Sequence, residues 1–198
     1  MSMLGNIGRA SDEVISELHG CPQKIERFLG ARIGPPPVPP QPGFIARFFG
    51  AKPKALPELP EPIETLADSD LFDLDKFWHI YHYLFTGSAW EGSFPGGFLV
   101  SAGKEIGDID VGYGPARSFA SGEVVVLQRF LDGLDRTEMR ARLAALPGAA
   151  EDLYYSVAWG DDVELDKELE ALTQELQNLK SFIAETTRQK RGLVIWLE

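Results

Sequence analysis

Apolar positions along the chain fall into helical and strand-like periods that lay out most of an architecture before any chemistry is considered. Met3 to Arg9 has room for a short strand. Ser11 follows with a side chain suited to accept a backbone N–H at a helix start, and Val14, Ile15 and Leu18 then recur at helical spacing. Pro22 predicts the first turn of a second helix, where its missing N–H costs nothing, with Ile25, Phe28 and Leu29 facing inward before Gly30. Farther on, Asp73 or Asp75 is expected to open a helix that runs to about Thr86 and closes at Gly87. Phe77, Tyr81 and Leu84 form one stripe of it and Trp78, His82 and Phe85 the next. So little polar face remains that this helix belongs inside the core.

Gly96-Gly97-Phe98-Leu99-Val100-Ser101 predicts a short buried strand, followed by a glycine-punctuated loop through Gly112-Tyr113-Gly114-Pro115. Ser121 is expected to cap a helix carrying Glu123 in its first turn and Val124, Leu127, Phe130 and Leu131 on its inner face until Gly133, and Thr137 a shorter one through about Leu146. Leu165, Leu169, Leu172, Leu176, Leu179 and Ile183 are spaced 4-3-4-3-4, which predicts a long amphipathic helix. About three heptads are short for a coiled coil, so this helix is expected to pack on its own sheet, with a weak homodimer through the Leu165–Ile183 helix as the other reading. Gly192 then separates it from Leu193-Val194-Ile195-Trp196-Leu197, an unbroken apolar run of strand length. The terminal runs are each too short to bury themselves. The fold class is therefore α+β, a small mixed sheet that includes the N- and C-terminal strands and is covered by several helices, with Trp196 buried.

Ten of the fourteen prolines lie between Pro35 and Pro62, so one domain spanning residues 1–198 is interrupted by a proline-rich insert at about 34–62. Its first part favours polyproline II and serves as a spacer of about 25 Å. Within it, Phe44/Phe48 and Ile45/Phe49 are i,i+4 pairs that fit one or two helical turns ended by Gly50. That patch docks on the protein's own body or, as a short linear motif, on a partner.

Composition changes this picture little. At 198 residues with 44% hydrophobic and 25% charged positions, the chain is an ordinary globular one. Cys21 is the single cysteine and can form no internal bridge, the N-terminal residues lack a secretory signal, and no apolar run approaches the ~20 residues of a membrane helix, so a cytoplasmic protein is expected. Charge narrows the partners further. The net charge is −11, and residues 63–127 hold 3 basic against 10 acidic groups. Nucleic acid is excluded as a partner because affinity for it comes from lysine and arginine displacing counterions. The acidic surface serves solubility or attracts a basic protein partner.

Polar chemistry concentrates in Asp73-Leu74-Asp75-Lys76-Phe77-Trp78-His79-Ile80-Tyr81-His82. His79 and His82, three apart, are neighbours on one side of a helix and could hold a metal or pair a base with an acid. A zinc helix uses i,i+4 histidines with a glutamate after the first, and neither His19 nor Cys21 stands at a spacing that supplies a third ligand, so satisfied structural histidines lead and no metal or cofactor is expected. Asp68, Asp70, Asp73 and Asp75 lack the glycine and glutamate of a calcium loop and read as favourable charge at a helix start. Gly112-Tyr113-Gly114-Pro115-Ala116-Arg117 is no phosphate loop but a tight turn. Its Arg117 is expected to pair with a carboxylate or to clamp an anion.

Leu74-Asp75-Lys76 leading into Trp78-His79 and His82, Leu84-Phe85-Thr86-Gly87, the 112–117 turn, the terminal Gly192-Leu193-Val194-Ile195-Trp196 and the opening Met3-Leu4-Gly5 together resemble the YfbM-like family of bacterial proteins, a domain of unknown function. The resemblance spans nearly the whole chain. It implies an α+β bacterial domain of intracellular type without an established activity; the stretch from Asp152 to Trp159 departs from the family's tyrosine-proline-to-tryptophan pattern. Two functions stand. One is a non-catalytic, acidic, protein-binding module of the immunity kind, since no Ser, Cys or Thr stands in an activating context. The other is a small-molecule enzyme or sensor in which Trp78, His79, His82, Tyr113 and Arg117 converge on a pocket.

Overall fold

A computed structural model describes residues 3–30, 63–145, 153–154 and 162–198, with positions 162–169 described by backbone alone. The insert at 34–62, including the 44–49 segment, and most of the 152–159 stretch lie outside the described residues, as do the side chains of Leu165 and Leu169. Strand β1 (Gly5–Ala10) leads into helix α1 (Asp12–Gly20), a 3-10 turn (Pro22–Lys24) and helix α2 (Ile25–Leu29). After the insert come a 3-10 turn (Asp68–Asp70), strand β2 (Leu71–Asp75), helix α3 (Trp78–Thr86) and a 3-10 turn (Gly96–Leu99). Strands β3 (Lys104–Asp110) and β4 (Pro115–Phe119), helices α4 (Ser121–Asp132), α5 (Arg136–Ala145) and α6 (Asp162–Arg188), and strand β5 (Gly192–Leu197) complete the described elements.

The sheet runs β2-β1-β5-β4-β3. The two ends of the chain pair directly, Gly5 opposite Leu197 and Ala10 opposite Gly192, as the terminal apolar runs predicted. Helices cover both faces, which is why β5 needs no polar positions. Leu193 and Ile195 face a core shared with α3, α4 and α6, while Val194 and Trp196 face a second core built on α1 and α2. Trp196 is buried. From Leu172 onward the heptad-like seam of α6 is buried in the first of these cores, so the helix packs on its own domain.

The expected α+β class holds, but the sheet is antiparallel at every described pairing rather than mixed. Local patterns mislead in three further places, each where sheet pairing or packing outweighs them. Asp73 and Asp75 do not open the helix. Leu71–Asp75 pairs with β1, and α3 starts only at Trp78, because the open edge of β1 offers this short alternating run a ladder. The segment 96–101 is a 3-10 turn with Phe98 and Leu99 buried, not a strand. The strands stand instead at Lys104–Asp110 and Pro115–Phe119, where a single buried anchor in the exposed edge strand, Ile106, gives almost no periodic signal. The helix starts shift slightly. Ala120 rather than Ser121 precedes α4 and donates its N–H to the Glu123 carboxylate at 2.8 Å, while Asp135 rather than Thr137 caps α5.

Other local signals hold. The Ser11 hydroxyl accepts the Val14 N–H at 3.2 Å, and Gly87, at φ +77°, closes α3 in the left-handed conformation that glycine adopts without strain. Among the described residues no helix is long and apolar enough to cross a membrane.

Candidate functional site

Helix α3 carries the expected histidines in full burial. Residues from Trp78 to Phe85 are buried on every side of the helix, which lies between the sheet, α5 and the 3-10 turn at Gly96–Leu99. Its C-terminal carbonyl at Leu84 is held by the Arg142 guanidinium of α5 at 2.6 Å. Close packing sets its start: a Cβ on Gly5 would come within 2.5 Å of the Trp78 Cβ, so only glycine lets β1 pass there.

His79 is fixed as one tautomer. Its Nε2–H donates to the Ala89 carbonyl at 2.6 Å, and its Nδ1 accepts the Tyr154 N–H at 2.8 Å, so both nitrogens are spent on backbone. The Trp78 ring stacks on the imidazole at 4.5 Å and 7°, and Trp90, itself 47% exposed, leans on it at 4.2 Å. Burial holds the His79 pKa below its ordinary value, against the pull of the Ala89 carbonyl. Trp78 donates its indole N–H to the Met3 carbonyl at 3.2 Å.

His82 is the anomaly. Its ring lies 6.5 Å from that of His79, and among the described residues neither of its buried nitrogens has a hydrogen-bond partner. Burial, then the neighbouring His79, push its pKa down to about 4. The Glu91 backbone opposes that shift.

Arg117 rises from β4 and is nearly buried, and its guanidinium caps the 3-10 turn rather than a carboxylate. It donates to the carbonyls of Leu99 at 2.5 Å, Ala102 at 2.7 Å and Phe98 at 3.4 Å. Burial lowers its pKa to about 10, partly offset by Glu105 across the ladder, and it stays cationic at neutral pH. Its charge reaches His82, and it shares a shallow cleft of about 150 Å³ with Tyr113. Tyr113 itself stands 44% exposed on the β3–β4 turn. The five residues thus form a chain of neighbours, Trp78 on His79, His79 beside His82, His82 within the field of Arg117, and Arg117 beside Tyr113.

Other donors point elsewhere. His19 meets the Ser118 hydroxyl at 2.8 Å and the Cys21 thiol meets Gln23, and among the described residues no group of three metal-ligating side chains forms. The acidic run disperses. Asp70 is held by Arg191 at 2.8 Å and Arg9 at 3.7 Å, whereas Asp73 and Asp75 stand exposed on β2.

These two carboxylates border a feature that the sequence reading missed. A cleft of about 480 Å³ opens between β2 and α6, with Phe72, Leu74, Phe77 and Tyr81 giving it apolar walls. Asp73, Asp75 and Glu175 rim it, and among its described lining residues none is cationic. The Tyr81 hydroxyl is spent on the Leu172 carbonyl at 3.0 Å, so the ring rather than the hydroxyl faces any occupant. Burial raises the Tyr81 pKa above its ordinary value, and the charge of Glu175 adds to the shift. Alternation in Leu71-Phe72-Asp73-Leu74-Asp75 is the one sequence signal that could have revealed this edge.

Among curated proteins there is no match. Among solved structures, the crystal structure of YfbM from Escherichia coli, itself described as a protein of unknown function, is similar over 98% of this chain and 99% of that one, with a TM-score of 0.64 and 15% identity. At that identity the likeness shows a shared fold. The family described as "Domain of unknown function (DUF1877)" matches residues 1–196, and the chain therefore belongs to that family.

Proposed function

We propose that this chain is a non-catalytic protein-binding module whose acidic surface holds a basic protein partner, in the manner of an immunity protein acting in the bacterial cytoplasm. The observation that carries this reading is the β2–α6 cleft, with apolar walls, three carboxylates on its rim and no cation among its described lining residues. The net charge of −11 extends the same preference over the surface and would steer a basic partner toward it. The free Cys21 thiol suits a reducing compartment.

The small-molecule reading, with Trp78, His79, His82, Tyr113 and Arg117 as its site, has one specific support, the two unpartnered nitrogens of His82. It takes second place because His79 and Arg117 already spend their polar atoms on backbone, and a ligand would have to reach a ring with no exposure.

A photo-crosslinking residue placed at Gln174 in the living host tests the proposal, with one at the exposed Val126 as control. Adducts specific to position 174 should contain a basic protein and vanish when Asp73, Asp75 and Glu175 are neutralised together. Adducts no different from those at Val126, or with acidic proteins, or persisting in the neutralised variant, would overturn it.

A further inference from the structure

We infer that the partner is bound as an extended basic segment, which adds to the free edge of β2 as a further strand and places an arginine or lysine side chain in the cleft. This deepens the binding reading above and rests on it. Among the described residues β2 pairs only with β1, so its outer edge can continue the ladder along Leu71–Asp73, while the Leu74 C=O is already held by the Phe77 N–H and the Asp75 N–H by the Asp73 carboxylate. The register jumps from Asn6 opposite Asp73 to Gly5 opposite Asp75, which leaves Leu74 as the extra residue of a bulge. Leu74 is buried while the carboxylates on either side of it stand exposed at the strand's end.

Charge selects the occupant. An unprotected edge invites a second copy of the same chain, but two such edges would bring Asp73 and Asp75 of one against those of the other. The same carboxylates favour a strand bearing cations, so repulsion of self and attraction of a basic segment come from one pair of residues. The cleft fits a long cationic side chain in particular. Its aliphatic stem would lie along Leu74 and the rings of Phe72 and Tyr81, with its head among the carboxylates. Asp73 already accepts the Asp75 N–H at 2.7 Å and Glu175 accepts the Asn178 amide at 3.1 Å, which leaves the Asp75 carboxylate with the most open acceptor capacity.

The test uses a fluorescent nine-residue peptide of alternating arginine and valine, and a second of the same sequence with every valine N-methylated, titrated by anisotropy into the full chain at physiological salt. The first should bind saturably at one per chain. The N-methylated peptide, equal in charge but unable to complete a ladder, should bind at least about tenfold more weakly. D75N combined with E175Q should weaken the first peptide about tenfold, whereas D108N combined with E91Q, an equal change of charge elsewhere, should leave it within about twofold. On the unaltered protein, amide hydrogen exchange at residues 71–75 should slow on binding, a readout that needs no variant. Equal affinity of the two peptides, or no slowing at 71–75, would overturn strand addition. The crosslinking result at Gln174 would then show separately whether the acidic cleft docks a folded basic protein, and blank results in both experiments would sink both readings.

Discussion

Acid should destabilise this protein through His82, and replacing that residue should remove a measurable part of the loss. The imidazole pKa is near 6.5 in an unfolded chain and about 4 in the folded protein, where burial disfavours the charged ring. Above pH 6.5 the ring is neutral in both states and costs nothing. As pH falls from 6.5 toward 4 the unfolded chain takes up a proton that the folded protein refuses, so stability drains away over that window and no further below it. At pH 5 the two protonation equilibria differ by about 2 kcal/mol, or between about 1 and 2 kcal/mol once water penetration is allowed for. His82→Leu is close in volume and cannot protonate. Urea unfolding followed by far-UV circular dichroism at pH 7.5, 6 and 5 should show the wild type losing more stability than the variant, by that margin at pH 5. His79, whose pKa is also lowered, adds its own acid loss to both proteins and cancels in the comparison. At pH 7.5 the variant should match the wild type or exceed it by up to about 1 kcal/mol, because a buried ring without hydrogen bonds is removed. Parallel losses in the two proteins, or a penalty above about 2 kcal/mol at pH 7.5, would refute the reasoning.

Arg117→Met should cost about 2–4 kcal/mol in chemical denaturation, since it strips the donors from the Phe98, Leu99 and Ala102 carbonyls; a cost under about 0.5 kcal/mol would contradict the capping role. Gly97→Ala should destabilise by about 2 kcal/mol or more, because its Cβ would stand 2.3 Å from the Gly92 carbonyl oxygen, whereas Gly122→Ala, with nothing within 4 Å, should raise the melting temperature slightly; thermal melts of the two variants check the contrast. Trp196→Ala should cost about 3–5 kcal/mol and cut the unfolding midpoint in urea accordingly. Zinc titration followed by calorimetry should show no stoichiometric site at His79, because both of its nitrogens are held by backbone groups; a site lost on His79→Ala would contradict that.

Features decided by neighbours along the chain were legible in the sequence. Gly87 ends α3, Ser11 starts α1, the leucines of α6 turn inward from Leu172, and the apolar runs at the two ends become strands, each because a local period or a single backbone preference suffices. The pairing of those terminal strands was inferable because neither could bury itself alone. What the sequence could not settle depends on groups far apart in it. Leu71–Asp75 has the acidic residues of a helix start, yet the open edge of β1, more than sixty residues earlier, makes it a strand. The 96–101 segment is apolar enough for a strand but is wound into a turn whose Phe98 and Leu99 carbonyls are held by Arg117, on β4. His79 owes its tautomer to Ala89 and Tyr154, and the candidate binding cleft exists because α6 comes to lie beside β2, about a hundred residues away along the chain. Periodicity records which face of an element is buried. Which element buries it, and which polar atoms are satisfied in the process, is set by non-local packing alone.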